Sequence, residues 1–420
     1  MATHVLHTDW RHASTRPGAA AVLHYLAGHY LLLPLGAAVA FVWANVEGFS
    51  YYSMAHALAF PVNAIAMALF FGLVAQEVFE ETAPGRALHR WRRWVVPMIA
   101  AAAGVTAASI VYGSYVDWKL EPMLHVMWPV VAGVDVAFAY FVVKAIFHRP
   151  AGPQKGGHSA HPAVAFALAI ALVSNVIGVV VIAPVYATAA ERTGGAAVLM
   201  AAAIGVAWWL RGRHVKQFWP YIWVAGGLSW LALYLEGFHP ALALLPIVPF
   251  MPHGRRRLDE LFADEADERG DTPRHFEHVW HYHAQAALFL FGLVNAGVML
   301  TGYGTGTWAT LAALLFGRTA GIAIGVGVAV ALGMQLPATI RAREVAVIAL
   351  AVAAGFTLSL FFATTLMPAG PLLAEVKLGA LLSLLGLPLA FIAARLLRVG
   401  RFAGHAHVQL LGKHRGAWEV

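Results

Sequence analysis

The chain has 420 residues, of which 60% are hydrophobic and 12% charged, and its mean hydropathy is +0.68. Soluble domains carry about 25% charged residues, so this composition excludes an ordinary water-exposed surface and points to a polytopic membrane protein. The absence of cysteine excludes disulfides and thiolate metal sites.

The first thirty residues hold Arg11 and Arg16 but no short apolar core with a small-residue cleavage site before Tyr30. The first apolar stretch is therefore expected to remain as a span. A bilayer-crossing helix needs about 20 largely apolar residues. Twelve stretches qualify or come close: Tyr30–Val46, Ala57–Glu77, Val95–Tyr115, Met123–Ile146, Ala163–Tyr186, Ala196–Leu210, Phe218–Leu235, Pro240–Met251, His283–Thr301, Trp308–Leu336, Val345–Met367 and Leu372–Leu397. The sixth and eighth are short.

Loop charges alternate with this count. After even-numbered spans lie Arg86, Arg90, Arg92 and Arg93, then Arg149 and Lys155, then Arg211, Arg213 and Lys216. Further on come Arg255, Arg256, Arg257, Arg269 and Arg274, then Arg341 and Arg343, and finally Arg398, Arg401, Lys413 and Arg415. After odd-numbered spans only Lys119 and Arg192 occur. The positive-inside rule then places the even loops and both termini in the cytoplasm. The pI near 9.7 follows from that topology and needs no nucleic acid. The expected organisation is a cytoplasmic segment 1–29, a transmembrane domain 30–400 with a cytoplasmic loop 252–282, and a cytoplasmic tail 401–420.

Two charges interrupt the apolar stretches: Asp135 within Met127–Ile146 and Arg318 within Trp308–Leu336. A charge in hydrocarbon costs about 2.5–3.5 kcal/mol on insertion scales, so it is kept where it pairs, lines a pathway or ties helices together. Pro129 and Gly133 precede Asp135, and Gly355 breaks the eleventh span. Breaks at corresponding positions of two halves mark the substrate region of inverted-repeat transporters. Asp135 reads either as a functional carboxylate or as compensation of helix ends, alone or paired with Arg318. The cluster His275, His278, His281 and His283 offers two ligands on one helical face but no compact third, which disfavours a metal site. Histidines at span ends and loops likewise disfavour haem.

Several ordered segments resemble NhaA-type Na+/H+ antiporters. They are Val42-Trp43-Ala44-Asn45, Met67 to Val74 followed by Glu77, Asp135 to Ala139, Gly237 to Ala243, Glu277-His278 with His281, and Leu293 to Val298. Gly317 to Ile322, Gly355 to Ala363 and Val376-Lys377-Leu378-Gly379 complete the set. The resemblance implies an all-α fold of about twelve transmembrane helices with inverted repeats, in which two discontinuous helices cross near the midplane. It also implies exchange of a cation for protons by alternating access in a bacterial-type inner membrane, a role in pH homeostasis, no enzyme activity and no cofactor. The implied partners are the lipid bilayer, protons and a small ion, with a homodimer as one assembly.

The resemblance also exposes departures. The family's two adjacent span-5 aspartates are matched by Ser174 and Asn175, which coordinate weakly and do not titrate. Its span-10 lysine is matched by Arg318, a permanently charged group. Ala64 stands for an aspartate in span 2 and Val134 for the threonine before Asp135. Candidate ion-site residues are Asp135, Ser174, Asn175, Arg318, Thr357 and Lys377, the last also able to snorkel to the interface. Positions implied for pH response are Glu77, Glu80, His239, Glu277, His278 and His281. Three functions follow: an antiporter with altered coupling, an anion or neutral-solute carrier on the same scaffold, and a non-transporting sensor or assembly subunit.

Overall fold

The structure is a computed structural model and describes residues 32–82, 91–147, 162–186, 194–215, 217–251, 286–336 and 340–403. Its α-helices in chain order are α1 (Leu32–Val46), α2 (Gly48–Phe60), α3 (Met67–Thr82), α4 (Trp91–Lys119) and α5 (Val136–Phe147). They continue with α6 (Pro162–Tyr186), α7 (Gly194–Gly212), α8 (Gly227–Leu235), α9 (Ala286–Asn295) and α10 (Thr305–Ala312). The last five are α11 (Thr319–Ala331), α12 (Ala342–Ala351), α13 (Thr357–Leu366), α14 (Pro371–Leu382) and α15 (Gly386–Leu396).

Six helical stretches among the described residues are long and apolar enough to cross a bilayer, including Gly48–Gly72, Val95–Lys119 and Thr305–Ala331. The first and last of these are continuous only because wide π-turns, Pro61–Ala66 and Ala313–Arg318, join α2 to α3 and α10 to α11. A third π-turn, Tyr221–Gly226, leads into α8. π-turns are rare, concentrate at functional positions and shift which residues face the interior.

Close approach is achieved by small residues. Gly317, Gly321 and Gly325 recur every four residues and face Ala100, Ala103, Gly104 and Ala108 of α4. A Cβ on Gly321 would lie 2.4 Å from the Ala103 carbonyl oxygen, so the stripe sets how near α11 can come. With lipid as apolar as leucine, such packing replaces the hydrophobic effect as the force between helices. One buried core joins α1, α2, α3, α9, α10 and α13 around Tyr51, Phe71, Phe291 and Phe361. A second joins α5, α6, α11, α12 and α15 around Val143, Ile170, Ile322 and Ile348.

Two expected spans differ. Pro240–Met251 contains no α-helix and consists of turns, with 3-10 pieces at Pro240–Leu242 and Val248–Phe250. Pro240, Pro246 and Pro249 remove the amide donors a helix would need. Ala241, Ala243, Ile247 and Val248 are buried, so this irregular backbone is wrapped in protein, where non-helical chain is tolerated at membrane depth. The ninth span unwinds after Asn295. There Tyr51 Oη donates to the Leu293 and Val294 carbonyls and accepts from the Gly297 N–H at 3.0 Å, while Asn45 accepts from the Leu300 N–H at 2.9 Å and donates to the Val298 carbonyl. A Cβ at Gly297 would lie 2.1 Å from the Tyr51 ring, which is why a glycine occupies that position.

Candidate functional site

Both helices expected to break do so. The 3-10 segment Pro122–Ala132 ends in extended Gly133, with φ −63° and ψ 135°, before α5 begins at Val136. α12 ends at Ala351, and α13 begins at Thr357. The unwound pieces meet where the Asp135 N–H donates to the Ala354 carbonyl at 2.9 Å. Glycines permit the contact. A Cβ on Gly133 would lie 2.6 Å from the Ser359 nitrogen, and one on Gly355 would lie 2.7 Å from the Gly133 carbonyl oxygen.

Unwinding strands backbone groups that must find partners in a region without water. Side chains supply them. Ser359 Oγ donates to the Val130 carbonyl at 2.7 Å, and Ser383 Oγ accepts from the Gly355 N–H at 3.0 Å. Asn175, from α6, accepts from the Val134 N–H at 2.8 Å and donates to the Val134 carbonyl at 3.0 Å.

Arg318 comes to the crossing from the last residue of the π-turn between α10 and α11. It is 1% exposed, and its terminal nitrogens donate to the carbonyls of Val131, Gly133 (2.7 Å) and Val352 (3.5 Å). These are the carboxyl ends of the two half-helices, where partial negative charge accumulates. The Arg318 Nε is buried without a hydrogen-bond partner among the described residues. The guanidinium of Arg318 is aimed at these backbone oxygens.

Asp135 occupies the complementary place at the amino end of α5. One carboxylate oxygen accepts from the Phe138 N–H at 3.2 Å, and the other accepts the Thr357 hydroxyl, from the first residue of α13. A negative group at helix amino ends and a positive one at carboxyl ends both match the local backbone polarity. Asp135, Thr357, Asn175 and Arg318 thus surround one crossing, and all four are buried. Ser174 is buried beside Asn175 on the same helix.

Lys377 is half-buried on α14 and has no hydrogen bond or ion pair among the described residues. His239 caps the turn at Pro240, its Nδ1 accepting from the Ala241 N–H at 3.2 Å, and its ring meets Phe361 of α13 edge-on at 4.7 Å. Glu277, His278 and His281 lie outside the described residues, as do the side chains of Glu77 and Glu80. Among the described residues no cluster of three or more His, Asp or Glu could hold a metal. Ser383 and the π-turn that aims Arg318 carry no local sequence signal that would have singled them out. Ser359 lies inside the Gly355 to Ala363 segment and could have been read from its spacing to Gly355.

Comparison with known proteins agrees with this architecture. Residues 22–396 match the model of the family described as Na+/H+ antiporter 1. A protein of Geobacter metallireducens named Na(+)/H(+) antiporter NhaA is 37% identical over 374 residues, covering 87% of this chain and 95% of that protein. Another of Pelobacter propionicus, named Na(+)/H(+) antiporter NhaA 1, is 35% identical over 378 residues with the same coverage. Among solved structures, the sodium proton antiporter MjNhaP1 of Methanocaldococcus jannaschii at pH 8 superposes with a TM-score of 0.56 at 14% identity, covering 92% of this chain and 95% of that one, a likeness of fold. A polytopic helical membrane fold with two broken helices, matched along most of its length, makes this chain a member of the Na+/H+ antiporter 1 family.

Proposed function

We propose that the protein is a secondary active transporter that exchanges a cation for protons by alternating access, with Asp135 as the carboxylate that holds either one. The observation that carries this reading is a buried carboxylate, Asp135, at the crossing of the two broken helices. Asp135 accepts from Thr357 Oγ1 and the Phe138 N–H, and the terminal nitrogens of Arg318 donate to backbone carbonyls. A carboxylate is acceptor-only when ionised and a donor when protonated. A cation and a proton therefore compete for the same oxygens, and the Thr357 oxygen adds a second ligand. Ser174 and Asn175 cannot take part in proton exchange, which is the altered coupling relative to a paired-aspartate site.

The reading as an anion carrier draws less support. An anion would need guanidinium donors, and the carbonyls of Val131, Gly133 and Val352 already engage the Arg318 fork. The orientation that accompanies the proposal places both termini and the 252–282 loop in the cytoplasm of a bacterial-type inner membrane. The test is reconstitution into liposomes loaded with a pH dye, challenged with Na+, Li+, K+ and a panel of anions. Cation-driven proton flux that disappears in Asp135→Asn is expected. Flux driven by anions alone, or cation-driven flux unchanged in Asp135→Asn, overturns the proposal.

A further inference from the structure

We propose that Asn175 is a positioning residue that clamps the unwound Val134 peptide and so fixes the adjacent Asp135 carboxylate against Thr357. The inference rests on the proposed function for its link to transport, but the clamp itself stands on geometry. Val134 lies in the extended gap between the 3-10 segment and α5. It has lost helical partners on both sides. The Asn175 amide presents an acceptor to its N–H at 2.8 Å and a donor to its carbonyl at 3.0 Å, pairing both groups of one residue as a neighbouring β-strand would.

The clamp has a defined mounting. Asn175 and Gly178 are three residues apart on α6 and share a face. A Cβ on Gly178 would lie 2.7 Å from the Phe362 ring and 3.2 Å from the Ala132 side chain, so this face of α6 is pressed against both broken helices. Asn175 is 2% exposed and Val134 1%, so the clamp lies out of contact with solvent.

Only a carboxamide suits this position without a proton. A carboxylate accepts but does not donate, so facing the Val134 carbonyl it would set oxygen against oxygen. An aspartic acid keeps both bonds only while protonated. Asn175 therefore makes the clamp independent of pH, and leaves titration to Asp135 one residue beyond the clamped peptide. The amide acts on the carboxylate through the backbone and does not bind the cation.

The test uses the full chain with two substitutions and two readouts. Asn175→Ala should weaken apparent cation affinity by about tenfold, as expected for loss of orienting hydrogen bonds, with a much smaller change in maximal rate. Asn175→Asp should melt like the unmodified protein at about pH 5.5 and clearly below it at about pH 8.5, on either side of the range in which a buried carboxyl sheds its proton. An Asn175→Asp protein that melts like the unmodified chain at both pH values overturns the clamp, as does an Asn175→Ala protein with unchanged affinity and maximal rate. If Asn175→Ala does not fold, the melting comparison decides. Absence of exchange in the unmodified protein would defeat the proposed function, while the melting comparison still reports on the clamp.

Discussion

The amide of Asp135 and the carbonyl of Ala354 are joined at 2.9 Å, so the two broken helices are tied backbone to backbone at the point where both are unwound. Neither break is free to close without the other losing a partner, and both depend on a glycine. A methyl at Gly133 would collide with the backbone of Leu358 and Ser359, and one at Gly355 with the Gly133 carbonyl. Gly133→Ala and Gly355→Ala should each lower the melting temperature in detergent far more than Gly113→Ala, a position with no neighbour within 4 Å. Overpacking of this kind costs about 1–3 kcal/mol. Equal melting of all three variants would mean that the crossing is loose.

Arg318→Leu removes the partners of the Val131, Gly133 and Val352 carbonyls at once. Each orphaned buried carbonyl costs about 1–3 kcal/mol, so the variant should be among the least stable single substitutions. Arg318→Lys keeps the charge but not the planar fork and should fall between the two. Thermal melting in detergent gives the order, and a lysine variant as stable as the original would show that the charge alone suffices.

If Asp135 is the sole exchanging carboxylate, one proton moves against each monovalent cation and the cycle carries no net charge. A transported charge would feel about 2.3 kcal/mol per 100 mV. Proteoliposomes clamped with valinomycin and K+ gradients should therefore show the same exchange rate at zero and at negative-inside potential. A several-fold response would require a second titrating group.

Thr357 donates its hydroxyl to Asp135 from the first turn of α13. Thr357→Val, which keeps the shape and removes the oxygen, should weaken cation affinity, whereas Thr357→Ser should preserve most of it. Concentration dependence of the pH signal measures both. Loss in Thr357→Ser with none in Thr357→Val would instead point to packing by the methyl group.

The orientation rests on loop charge alone and is directly measurable, because the chain has no cysteine to obscure a label. A single cysteine at position Asp264 should react with a membrane-impermeant maleimide only after the cytoplasmic side is exposed. Labelling of intact cells would reverse the topology.

The crossing was legible because its parts have strong signals: a charge amid apolar residues at Asp135 and Arg318, and helix breakers at Pro129, Gly133 and Gly355. What those charges do to each other was not legible. Sequence spacing says nothing about which of several nearby carbonyls a guanidinium will choose, so the bonds of Arg318 with Val131, Gly133 and Val352 had no signal of their own. The eighth span read as a helix because hydropathy ignores amide donors, and Pro240, Pro246 and Pro249 had removed them. Asn175 was visible as a departure from a family pattern. Its role depends on a Val134 peptide more than forty residues away, which only the fold brings near.

The π-turn Ala313–Arg318 contains one residue more than a regular turn would use. Winding the same residues as a regular α-helix would instead rotate one side of the span against the other by about 100°. The Gly317, Gly321 and Gly325 stripe and the arginine at the turn would then no longer face α4 and the crossing together. This stretch should accept many substitutions yet tolerate no lengthening, and a single-residue insertion there should be as damaging as loss of Arg318 itself.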